Sequence, residues 1–237
     1  MSVEPQHSLN DTEQQLIDLA GLGAYARLRL FCLVASLTWD SPSMADAQRL
    51  MRRSVSIAGQ QEALAAIGQG YGYDAETLMA PYDGLLDGFI SRTEASDWWE
   101  GLLKGLIVHG VARDLVRLLA TGISGQGEAV AALLADDDDE DRVGIVDRIA
   151  AACADDTVLA SRLALWGRRV VGEAFMLGQG LMRSRPRFLT MAVNAAQVAG
   201  VTSDDGGAPD AEAVKTYLLA ELTSAHARRM DAMGLAA

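Results

Sequence analysis

Positions 136–141 read DDDDED, five aspartates and one glutamate in six residues. Such a run is either a site for a hard cation, since Ca2+ and Mg2+ take oxygen ligands, or a solvated acidic helix start, where negative charge favours the dipole. The remaining ligands decide between them. The chain has three histidines, His7, His109 and His226. Glu4 precedes His7 by three residues, but in a proline-containing tail; Leu106 and Thr223 occupy that spacing before His109 and His226. No core helix therefore carries a glutamate three residues before a histidine, the spacing that would put both on one helix face.

Two further residues could do chemistry. Glu173 lies on an apolar helical seam between Val170 and Leu177, and His226 lies on one formed by Leu219, Leu222, Met230 and Met233. A carboxyl so placed must be paired or protonated. Both residues are candidates for catalysis, set against plainer readings as an interhelical salt bridge and a satisfied core histidine. In the sharper form, Glu173 and His226 pair across two helices.

The elements that must position these residues follow from composition. The chain has 237 residues, 50% of them hydrophobic and only 5% aromatic. Ala, Leu, Arg, Glu and Met dominate, so the reading is all-α. A net charge of −12 opposes a polyanion over most of the surface and argues against nucleic acid as a partner. Cys32 and Cys153 lie in apolar helical patterns and read as buried thiols in a reducing compartment, the cytoplasm. The N-terminus has no apolar signal core, and no apolar run approaches the ~20 residues that cross a bilayer, so no membrane is expected.

Asn10 and Glu13 predict a capping box that opens a helix running to about Leu37. A second long helix starts at Pro42 and Ser43 and ends at Gly68, Gly70 and Gly72. A shorter helical piece carries Pro81, a third long helix is capped by Ser96, and Pro186 breaks or kinks the chain near the end of a fourth. The reading is one bundle over 1–237, with residues 1–9 a flexible tail and 201–210 a loop before the last helix. Arg183, Arg185 and Arg187 fit the C-terminal dipole of a helix, with a phosphate-contacting patch as the alternative. Arg168, Arg169, Arg228 and Arg229 read as cations on helix faces, one of them available to pair with Glu173.

The strings MAPYDGLLDGF, SDWWEGLLKG, RLALWGRRVVGEA and SAHARRMDAMGLAA resemble the MiaE-like branch of the actinobacterial ferritin-like superfamily, over about residues 18 to 237. The resemblance implies a ferritin-like helical bundle with four long core helices plus flanking helices. Its namesake enzymes are di-iron monooxygenases that hydroxylate a hypermodified adenosine in tRNA. It also implies where ligands should stand, and there this chain departs from the pattern. Arg27 replaces a glutamate of the first helix, and Ser56 and Gly59 fall where the second helix would carry acid-x-x-His. Asp114 is kept in the third helix, while Asp138 and Asp141 put aspartate where histidine belongs in the second acid-x-x-His. The expectation is a non-catalytic binding or interaction protein with no cofactor, which could form a homodimer or take a protein or small-molecule partner. The alternative is a MiaE-type hydroxylase with a rearranged di-iron site and tRNA as its partner.

Overall fold

The capping box forms as predicted: Asn10 Oδ1 accepts from the Glu13 amide at 3.0 Å, and Glu13 accepts from the Asn10 amide at 2.9 Å. It opens α1 (Asp11–Trp39) in the computed structural model of the chain, which describes residues 9–134 and 140–237. Ser43 caps α2 (Met44–Gln69). The stretch with Pro81 is not one helix: α3 (Ala75–Met79) passes into a 3₁₀ turn at 80–82, and α4 (Asp87–Arg92) follows Gly84, whose φ of +73° ends the turn. Only glycine adopts that conformation at low cost.

α5 (Trp98–Thr121) is capped by Asp97 rather than Ser96. Ser96 instead donates its amide and hydroxyl to Glu100, at 2.9 and 2.7 Å. α6 (Gly127–Leu133) and α7 (Glu140–Asp155) flank the acidic run, most of which lies outside the described residues. α8 (Thr157–Ser184) ends at Pro186, which takes the first turn of α9 (Pro186–Val198), where its missing N–H costs nothing. α10 (Ala211–Ala232) closes the chain. The described residues contain no strand, and none of their helices is long and apolar enough to cross a membrane.

α5 is the hub, packing against α1, α6, α8, α9 and α10, while α1 runs along α2 and α2 touches α7. One apolar cluster joins Leu50, Ile57, Leu103, Ile149, Leu163 and Met230; another, toward the opposite end of α5, joins Leu19, Leu64, Leu119, Phe188 and Met191. This is the all-α bundle expected from composition and periodicity. Buried acids tie its helices: Asp46 accepts from Arg148 of α7 at 3.3 Å, and Glu100 from Arg162 of α8 at 2.9 Å. Arg187 meets Asp18 of α1 at 3.3 Å, and Arg185 stacks 4.6 Å over the Tyr82 ring, so two of the three arginines at this corner tie helices. Cys153 is buried as expected, but Cys32 is exposed.

Candidate functional site

The centre of the bundle is cationic where the resemblance calls for carboxylates. On α2 the buried stripe of Leu50, Ser54, Ile57 and Leu64 includes Arg53, so helical periodicity turns that guanidinium inward. Arg53 is 3% exposed and Arg27 of α1 only 1%. Arg53 Nη2 lies 3.0 Å from Nε2 of His109, itself buried on α5. A guanidinium only donates, so this Nε2 accepts and the imidazole carries its proton on Nδ1. The lone pair that would bind a metal is engaged by an arginine. A cavity of about 20 Å3 adjoins this pair, enough for roughly one water.

The other expected positions do not converge on this centre. Ser56 is half-buried on α2, whereas Gly59 lies on the exposed face of that helix with nothing within 4 Å of a built Cβ. Gly59 is therefore no inward position: it stands two residues past Ile57, roughly 200° around the helix. Asp114 accepts from Arg113 at 3.2 Å and also from Arg229 of α10. It lies in a cleft of about 470 Å3 that is also bordered by Arg117, Arg142 and Arg228. Asp138 lies outside the described residues, as does the side chain of Asp141, whose backbone belongs to α7.

Glu173 is paired, as its seam requires, but its partner is Arg92 of α4 at 2.6 Å rather than one of the predicted arginines or His226. Arg169 braces the pair by donating to the Arg92 carbonyl at 2.7 Å. His226 is 4% exposed, and neither ring nitrogen finds a hydrogen-bond partner among the described residues. Burial, with Arg229 adding repulsion, pushes its pKa down to about 4. Glu173 and His226 therefore form no dyad, and the satisfied core histidine is in fact unsatisfied.

Sequence reasoning missed an apolar opening beside α5. A cavity of about 330 Å3 lies between α1, α4, α5 and α8, walled by residues such as Leu22, Leu30, Phe89, Val111 and Leu181. Lys104 of α5 reaches its edge, 6% exposed, and donates to the Thr93 carbonyl at 2.6 Å. A signal did exist, since Lys104 interrupts the apolar run of α5 just as Glu173 interrupts that of α8. The cavity itself had none, because it is made by small residues such as Ala26, Ala112 and Gly178 where larger ones would close it.

Tyr25 also borders this cavity, and its buried hydroxyl has no partner among the described residues. An unsatisfied buried hydroxyl costs about 1–3 kcal/mol. Tyr25→Phe should therefore raise stability by about 1 kcal/mol, read as a higher urea midpoint at unchanged slope.

Among the described residues, no three His, Cys, Asp or Glu side chains gather closely enough to hold a metal ion. Among the described residues the donor set does not fit a pair of irons: that centre takes a carboxylate or acid-histidine pair from each of four helices, and α1 and α2 bring buried guanidinium groups instead. A family model described as "Ferritin-like domain, actinomycetes" matches residues 10–195. No curated protein matches the chain.

Proposed function

The chain belongs to the ferritin-like domain family of actinomycetes, and on that premise we propose that it is a non-catalytic member, a binding or interaction module without a di-iron centre. The observation that carries this reading is the pair of buried arginines, Arg27 and Arg53, with the Arg53 guanidinium on His109 Nε2 at 3.0 Å. Two divalent irons need anionic ligands to offset their charge, and an arginine cannot be deprotonated to make room for them. His109, the one core histidine close to the expected ligand region, presents its acceptor nitrogen to a cation.

The fold does not depend on metal for its stability. Apolar stripes from α1, α2, α5 and α8 fill both clusters, and such burial supplies most of the stability of helices in proteins. Removing closely spaced carboxylates also removes repulsion that only bound metal would offset. A net charge of −12 supports a partner other than nucleic acid.

Metal content tests the reading. Protein purified without chelators, then incubated anaerobically with ferrous iron and desalted, is expected to hold no stoichiometric iron by mass spectrometry. Two irons per chain would overturn it and favour a MiaE-type hydroxylase acting on a modified tRNA nucleoside.

A further inference from the structure

We propose that the cavity between α1, α4, α5 and α8 binds an amphipathic monocarboxylate, with its apolar tail inside and its carboxylate on Lys104 and Arg29. The cavity, at about 330 Å3, lies at the small end of ligand pockets. Among the described residues lining it are two cations, Arg29 and Lys104, and no acid. Both cations also border the open cleft beside it, with Asp87 and Glu94. They therefore stand at the junction between an apolar chamber and solvent, where a head group would sit.

Lys104 is the central observation. It is 6% exposed, yet among the described residues no carboxylate lies within ion-pair distance of it; its contacts are the Thr93 carbonyl and the Phe89 ring, 5.5 Å from Nζ. An ammonium has three donors, and Thr93 takes one. A buried cation with no carboxylate at ion-pair distance is costly: burial lowers its pKa, and the Glu94 carboxylate on the rim offsets this only in part. An entering carboxylate supplies both the charge and the acceptor.

Arg29 is available to help. Its guanidinium meets Asp87 only at 3.9 Å, with the two side chains 37% and 73% exposed, a contact of little worth in water. Asp87 and Glu94 are exposed on the outer rim, where water screens them. The buried ammonium acts at lower dielectric and sets the sign of the head group. A cationic head would be repelled there, and a neutral alcohol would leave Lys104 without a counter-ion.

The proposal deepens the reading of the chain as a binding module and rests on it for biological use. Dodecanoate below its micelle concentration, titrated into the full chain by calorimetry, tests it beside dodecanol and dodecyltrimethylammonium. Saturable one-to-one binding of dodecanoate is expected, at least tenfold tighter than either comparator. Lys104→Met should weaken dodecanoate about tenfold, the scale of one charge-assisted hydrogen bond, and Arg29→Gln, at a half-buried position, should weaken it less.

Gly178→Phe should abolish binding with the melting transition retained, because a Cβ there meets only Leu115 Cδ2, at 3.8 Å, and the ring would enter the cavity. No saturable binding, equal affinity for either comparator, or full affinity in folded Gly178→Phe would each overturn the site. Iron measured on the same preparation bears on the metal-free reading alone, so the two failures are distinguishable.

Discussion

Gly122→Ala is expected to lower stability by about 3 kcal/mol, the upper end of what overpacking usually costs. Gly122 ends α5 where that helix abuts α9, and a Cβ there would stand far inside van der Waals contact with the Met191 carbonyl oxygen, 2.9 Å from its carbon and 3.0 Å from the Ala195 nitrogen. All three are backbone atoms of α9, so no rotamer change can relieve the clash. Asn194 also donates to the Gly122 carbonyl at 3.1 Å, fixing the approach. Opening the seam would strip contacts from Met191 and Phe188, both fully buried.

The same corner needs Gly125, with φ at +76°, and Gly127, whose Cβ would strike the Ala120 carbonyl. Gly59→Ala is the control. It lies mid-helix, exposed, with nothing within 4 Å, and should gain about 0.5–1 kcal/mol from helix propensity. Urea denaturation of the two variants should shift the midpoint in opposite directions. Equal shifts would show that close approach at Gly122 is not what that glycine provides.

The contrast between these glycines shows what can be read from one chain. Caps and stripes are local, so α1, α2 and α8 begin and end close to where their residues predict. The cap of α5 was misplaced by one residue because Ser96 and Asp97 are both good caps; Asp97 takes the role, and Ser96 serves Glu100. Gly122 reads only as a helix end, since its constraint comes from α9, some seventy residues later.

Sites followed the same division. That Glu173 is partly buried and must be paired was legible from its seam; that Arg92 pairs it was not, because α4 is a short helix placed by tertiary packing. Arg53 was legible in principle, as a cation on the stripe with Leu50 and Ile57. The resemblance selects Ser56 and Gly59 on that helix instead, and neither is buried.

Acidification should expose His226. Its pKa falls from 6.5 to about 4 on folding, because burial disfavours the imidazolium and Arg229 repels it. Between those values the unfolded chain binds a proton that the folded chain does not, so stability rises with pH across that window. The contribution is fully present above about pH 7 and is lost as pH falls toward 4. Between pH 7 and pH 5 the loss should be about 2 kcal/mol. Asp74, Asp97 and Asp205 have pKa values below the usual 3.8, so their effects come at lower pH. Asp18, raised from 3.8 by burial, acts with opposite sign. Subtracting a variant isolates the histidine.

His226→Leu should flatten the slope between pH 7 and pH 5 and add about 1 kcal/mol at pH 7, since both ring nitrogens are buried without partners among the described residues. Denaturant titrations of both proteins at the two pH values measure this directly. A variant that kept the full slope would remove His226 as its source. The outcome also bears on chemistry: an acid–base catalyst works best with a pKa near the operating pH and a partner within hydrogen-bond reach. His226 stands on the inner face of α10, one turn from the fully buried Met230, and its lowered pKa and its ring nitrogens without partners among the described residues set it apart from such a catalyst.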